Sequence, residues 1–258
     1  MPFAHYDQGD DMSEFKEARR ILTSWLAPLE RRCLIWLAHR MPAWVNSDHL
    51  TVLGFVGTLM AGLSYWLARW YPPALLLVVF WLAVNWFGDS LDGTLARVRN
   101  CQRPRYGFYV DHVLDAFGAC FLLGGLGLSG YMNPLVALLL LVVYCLLSIE
   151  VYLATYCLSD FRLSFWKFGP TELRLLLAIG NVALLWRPTT TILGPRLLLF
   201  DVGGVIAIAA ILATVITAAC RNTIALYRAE PLPPRTPGRA DTPALRPGRA
   251  GLSSSGLC

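Results

Sequence analysis

Apolar residues gather into six long runs, at 50–70, 74–87, 113–128, 134–158, 173–186 and 199–219, with polar segments between them. The longer runs reach or approach the ~20 residues a helix needs to cross a bilayer, and the two shortest, 74–87 and 173–186, reach that length with their flanks. The pattern predicts an all-α fold, a six-helix transmembrane bundle. Ahead of it, SEFKEARRILTSWLAPLERRCLIWLAHR (13–40) sets Ile21, Leu22, Trp25, Leu29, Leu34 and Trp36 among charges at roughly helical spacing. That spacing predicts one or two amphipathic helices lying on the membrane surface, broken or kinked at Pro28. Residues 1–20 carry Asp7, Asp10, Asp11, Glu14 and Glu17 before any apolar run and do not read as a signal peptide.

Composition agrees with the pattern. Of 258 residues 56% are hydrophobic and 15% charged, and the mean hydropathy is +0.51, too apolar for an ordinary soluble domain. Three regions follow: a juxtamembrane N-terminus with its amphipathic helix (1–45), a six-span membrane domain (46–228) and a basic tail rich in Pro, Gly and Ser (229–258). The tail cannot build a core and reads as disordered, suited to touching anionic lipid. Its terminal Cys258 lacks the prenylation pattern. Every basic residue except Arg69, Arg187 and Arg196 falls on one side of the six spans, so the positive-inside rule places both termini and the segment between the second and third spans in the cytoplasm. The net charge of +5 is therefore a membrane-surface property, and no nucleic-acid motif accompanies it. The seven cysteines are scattered, with no CxxC and no Cys/His cluster, which suggests neither a zinc site nor a disulfide framework.

One stretch breaks the apolar pattern: GDSLDGTLARVRNCQRPRYGFYVDHVLDA, from Gly88 to Ala116, holds Asp89, Asp92, Asp111 and Asp115. Carboxylates are costly beside hydrocarbon unless something compensates them. On helices each pair shares a face, because residues three or four apart lie one turn apart. A connection of about fifteen residues makes the two helices antiparallel neighbours, so both pairs can point into one cleft. Four clustered carboxylates cannot all ionise unaided, and divalent cations that prefer hard oxygen resolve that repulsion. Two such ions on four aspartates would clamp a pyrophosphate for in-line displacement. Gly93 sits inside a predicted helix at a cost of about 1 kcal/mol relative to Ala, which makes sense where a ligand must approach the backbone. Arg97 is placed for a phosphate oxygen, and Ala96 and Gly107 keep the same surface low.

The series Asp89-x2-Asp92-Gly93-x2-Ala96-Arg97-x9-Gly107-x3-Asp111-x3-Asp115 resembles the signature of the CDP-alcohol phosphatidyltransferases, with all eight fixed positions present. The six-span layout, the amphipathic N-terminal helix and NSDHLT (46–51) are also similar to that family. The resemblance implies that Asp89, Asp92, Asp111 and Asp115 ligate two Mg²⁺ or Mn²⁺ ions, with Asp115 also the general base. It implies that Gly93, Ala96 and Gly107 line the cytidine pocket while Arg97 steadies the phosphates. The reaction implied moves a phosphatidyl or phosphoalcohol group from a CDP-linked lipid or alcohol donor to an alcohol acceptor and releases CMP. A homodimer among membrane lipids is implied by analogy.

The rival readings explain less. Surface pairing of the aspartates with Arg97, Arg99, Arg103 and Arg105 does not demand Gly93, Ala96 and Gly107. Membrane prenyltransferases also hold Mg²⁺ on two aspartate-rich motifs, but theirs lie several spans apart, and here Asp92 and Asp111 are 19 residues apart. A cation transporter would place its acidic residues near mid-bilayer. Outside the signature, Glu150 lies well inside a predicted span, where a functional role and a polar network are equally good readings. Glu150…Tyr152…Thr155 with Gly169-Pro170-x-Glu172 loosely resembles the choline and ethanolamine phosphotransferase branch, which implies an acceptor site near Glu150 and Glu172. Arg174, two residues on, suits a phosphorylated acceptor equally well. His112 points about 100° off the Asp111/Asp115 face and reads as structural; His49 and Asp201 read as interfacial.

Overall fold

The computed structural model describes residues 27–158, 169–191 and 196–230. Seven helices and one short hairpin follow in order: α1 (Ala27–Arg40), α2 (Ser47–Ala68), α3 (Ala74–Val98), α4 (Pro104–Leu128), α5 (Pro134–Leu158), α6 (Pro170–Trp186), β1 (Thr189–Thr191), β2 (Arg196–Leu198) and α7 (Leu199–Ala229). The described part is all-α apart from that antiparallel pair, in which Thr189 faces Leu198. Five helices, α2, α3, α4, α5 and α7, are long and apolar enough to cross a membrane. The remaining predicted span, 173–186, is α6, whose 17 residues give a length of about 25 Å.

Helices α3 and α4, like α7, outrun their apolar runs. The second run ends at residue 87, yet α3 continues to Val98; the third begins at residue 113, yet α4 starts at Pro104. Hydropathy marks where hydrocarbon is wanted, whereas the helix persists as long as its hydrogen bonds and one packed face do. Gly88, Leu91, Thr94, Leu95 and Ala96 supply that face on α3. The connection is thus five residues, 99–103, in place of the expected fifteen. It is closed by a Schellman motif: Asn100 takes the left-handed conformation (φ 52°), its amide donates to the Arg97 carbonyl, and the Cys101 amide donates to the Ala96 carbonyl. Pro104 then opens α4, where a missing N–H costs nothing.

Despite the short turn, α3 and α4 barely touch, because α2 lies between them and packs against both. Small residues on α2 permit this. A Cβ placed on Gly88 of α3 would stand 2.4 Å from the Gly54 nitrogen and 2.5 Å from the Leu50 oxygen, so these backbones meet with no side chain between them. On the other flank a Cβ on Gly125 of α4 would stand 2.0 Å from the Gly62 oxygen. The order of packed helices is α6–α3–α2–α4–α5–α7. At the end remote from the aspartates, Tyr65, Leu75, Val78, Leu126 and Leu184 form the main buried cluster. There Asn181 of α6 donates to the Tyr65 hydroxyl at 2.7 Å.

Helix α1 packs against α3. Leu34 and Ala38 are buried with Val45, Leu50, Leu91 and Leu95, while Leu29 and Trp36 remain exposed and Arg40 lies 3.8 Å over the Trp36 ring. Its apolar residues therefore serve two surfaces, the bundle and the outside. Pro28 is the second residue of α1. Ile21, Leu22 and Trp25, like the tail from residue 231, lie outside the described residues.

Candidate functional site

The extension of α3 and α4 beyond their apolar runs brings the aspartates together. Asp89, Asp111 and Asp115 each offer a carboxylate oxygen within 4.8 Å of the others. The three come from two helices that scarcely meet, so the spacing is set by α2. Thr51, Gly54, Phe55 and Thr58, one helical stripe of α2, form the floor of a small cleft whose walls are Asn85, Asp89, Asp111, Leu114 and Asp115. Its solvent-sized space is about 20 Å³, room for an ion or a water but not for a nucleotide, which must sit on the open side. The donor set fits a divalent ion. Hard oxygens on opposite sides of one such ion stand about 4 to 5 Å apart, twice the usual ligand distance.

Asp92 is held differently. Its carboxylate accepts a hydrogen bond from Thr51 Oγ1 at 2.7 Å and another from the Gly93 amide, and its carbonyl accepts from Ser47 Oγ at 3.0 Å. These bonds fasten the start of α2 to α3. NSDHLT thus has a local logic: Asn46 precedes the helix, its amide donates to His49 Nδ1, and Ser47 and Thr51 face Asp92. Where the sequence suggested an interfacial role for His49, the ring closes the start of α2.

Gly93 and Gly107 both border open space. A Cβ on Gly93 would meet only the Arg97 guanidinium, at 3.6 Å, and one on Gly107 would meet nothing within 4 Å. Arg97 is exposed and donates to Thr94 Oγ1 at 3.1 Å. Ala96 is buried, at 9% exposure. Arg99 and Arg103 bind protein groups: Arg99 donates to the carbonyls of Met41, Pro42 and Val45, and Arg103 pairs with Asp48. His112 hydrogen-bonds the Phe108 carbonyl and packs edge-on against Tyr152 of α5, with ring centroids 4.7 Å apart, a structural placement.

The three residues tied by sequence to an acceptor site part company. Arg174 of α6 ion-pairs with Asp89 and donates through Nε to Asn85 Oδ1 at 2.7 Å. Glu172 accepts from the Gly169 amide at 3.0 Å, closing the start of α6. Glu150 accepts from Asn222 of α7 at 2.6 Å, joining α5 to α7. Asn85 was missed by sequence reasoning. It is buried, donates to the Gly54 carbonyl at 2.9 Å and receives Arg174. The available signal was an amide inside an apolar run, one turn before Asp89 and on its face.

Comparison with known proteins gives the same direction. The pattern of the family described as CDP-alcohol phosphatidyltransferase matches residues 44–220, which take in the whole aspartate signature together with Asn85 and Arg174. An archaetidylinositol phosphate synthase of Pyrococcus horikoshii is 31% identical over 89 residues, 34% of this chain and 44% of that protein, so under half of that relative's length is spanned. With more than half of its length inside the family pattern, and with three of the four signature aspartates converging on one cleft, the chain belongs to the CDP-alcohol phosphatidyltransferase family.

Proposed function

We propose that this protein is a six-span enzyme of phospholipid synthesis that transfers a phosphatidyl or phosphoalcohol group from a CDP-linked donor to an alcohol hydroxyl and releases CMP. The observation that carries this is the approach of Asp89, Asp111 and Asp115 within one cleft of a chain whose family pattern spans 44–220. The three carboxylates, with Asp92, hold two divalent ions, Mg²⁺ or Mn²⁺. A carboxylate has about four acceptor positions, so the Asp92 bonds to Thr51 and Gly93 leave others for an ion. Bound ions would neutralise the pyrophosphate and polarise the phosphorus under attack.

The chain's own groups do the rest. Asp115 takes the proton of the acceptor hydroxyl as its oxygen bonds to the phosphorus nearer the lipid or alcohol. The bond from that phosphorus to the oxygen of CMP breaks, and CMP leaves with the electron pair. Arg97 stabilises the phosphate oxygens, and the clear surfaces at Gly93 and Gly107, with Ala96 beneath them, receive the nucleotide. The acceptor lies on the side of Arg174, the one of the three proposed acceptor residues that reaches the aspartates.

Helix α6 completes the six spans. Its partners run down α3 and α2 from Asn85 and Asp89, through Tyr65, to the cluster of Ala74 and Leu75. The site faces the cytoplasm with both termini. In support, Arg69 and Arg187 follow α2 and α6 and Arg196 lies in β2, all away from the aspartates, whereas Arg99 and Arg103 lie in the turn between the two halves of the signature. We propose a homodimer on the family resemblance alone, checked by light scattering of the detergent-solubilised protein.

The test is CMP release by purified protein in lipid nanodiscs with Mg²⁺ or Mn²⁺, CDP-diacylglycerol and pooled alcohol acceptors, beside Asp115→Asn. The relative's name puts inositol phosphate first in that pool. Release that requires the ion and falls by about a thousandfold in Asp115→Asn is the expected result. No release from folded protein, with either CDP-diacylglycerol or CDP-choline and CDP-ethanolamine plus diacylglycerol, overturns the proposal.

A further inference from the structure

Resting on the metal-holding role proposed above, we infer that Arg174 is a built-in counter-cation for Asp89, which a divalent ion must displace, and that its displacement releases the start of α6 from α3. Two observations point there independently. The first is the arrangement of charge. Arg174 Nη2 lies on Asp89 Oδ2 and its Nε lies 2.7 Å from Asn85 Oδ1, while Asn85 is fixed in turn by its 2.9 Å bond to the Gly54 carbonyl. Both side chains of the ion pair are largely withdrawn from solvent, at 17% exposure for Arg174 and 24% for Asp89. Asp89 is also one of the three carboxylates within 4.8 Å of one another. A guanidinium and a divalent ion on one carboxylate repel each other at close range, more strongly where water is scarce. Occupancy by one therefore weakens the other.

The second is how α6 is held. Its buried residues are Asn181 and Leu184, both in its far half, where Asn181 reaches Tyr65 and Phe200 closes on Gly180. In its near half Leu173, Leu175 and Leu176 are each half or more exposed. There polar bonds tie it to other helices: Arg174 to Asp89 and Asn85, and Thr171 Oγ1 to Glu30 at 2.7 Å. Helix α6 is thus anchored by packing at one end and latched by hydrogen bonds at the other. Of the latch contacts, the one on Asp89 is in direct competition with the ion. Loading the site loosens the near end of α6 and turns the Arg174 charge toward the oxyanions of a bound substrate.

The experiment measures Mn²⁺ binding by electron paramagnetic resonance of the free ion, using the full chain in nanodiscs as wild type, Arg174→Gln and Asp89→Asn. Arg174→Gln is expected to bind Mn²⁺ about tenfold more tightly, the equivalent of one partly exposed charge-assisted hydrogen bond. Asp89→Asn is expected to bind more weakly than wild type. Equal or weaker binding by Arg174→Gln overturns the competition while leaving the metal site standing; no binding by either wild type or Arg174→Gln overturns both. A second measurement needs no variant. Hydrogen exchange of the wild type with and without Mg²⁺ should show faster exchange over residues 170–177 on loading and no change over 181–186. Protection or no change over 170–177 overturns the latch even if Arg174→Gln fails to fold.

Discussion

The α2–α3 pair and the α5–α7 pair are built on different principles. In each of α2 and α3, 39% of the apolar window is buried within the protein, against 17% in α5 and 11% in α7. The first pair meets backbone to backbone at Gly54, Gly57 and Gly88. The second is joined by the Glu150–Asn222 bond and by side chains such as Val136 and Met132 over Gly204. Without a hydrophobic force between helices in lipid, close approach of small residues gives the firmest packing. The aspartates stand beside that firm seam, as a site needing sub-ångström placement requires. The looser pair leaves its apolar side chains to lipid.

Mutations on the two sides should separate cleanly. The largest effect is expected from Gly88→Val, because the clash at 2.4 Å is with backbone that cannot swing aside; a loss of about 3 kcal/mol or more is expected, read as failure to recover folded protein or a melting midpoint lowered by ten degrees or more. A Gly88→Val protein melting like wild type would show that the seam is not tight. Next comes Asn222→Leu, which takes the hydrogen bond from a half-buried Glu150. A loss of about 1 to 2 kcal/mol is expected, with Glu150→Gln recovering most of it in the double variant by removing the charge. Additive losses would mean the pair is not coupled. Smallest is Gly203→Ala on α7, where a Cβ meets nothing within 4 Å. A gain of roughly 0.5 kcal/mol in the same melting assay is expected from helix propensity alone, and a clear loss would place a partner on that face.

What the sequence made legible follows the range of the interactions involved. The eight signature positions and the pairing of aspartates on helix faces are local features, and Asp89, Asp111 and Asp115 do meet. The all-α class and most of the membrane helices were equally open to a reading by hydropathy. The ends of α3 and α4 were not, since their last polar turns are fixed by Asn100 and by packing on α1 and α2 rather than by apolar content. Nor was the wedge of α2 between α3 and α4. Gly54, Gly57 and Gly62 read as ordinary members of an apolar run until the backbones opposite them are known. Glu150 stood evenly between function and network; its partner, Asn222, is 72 residues away and invisible to any local pattern.

Glu30 carries a consequence of another kind. One of its carboxylate oxygens receives the Trp86 indole at 2.9 Å and the Thr171 hydroxyl at 2.7 Å, so a residue of α1 clasps α3 and α6 together. It stands fourteen positions ahead of residue 44, where the family pattern begins. The inherited unit and the mechanical unit therefore have different borders. Grafting another relative's leader onto this bundle at residue 44 would preserve every signature residue and still remove one of the bonds that hold the near end of α6.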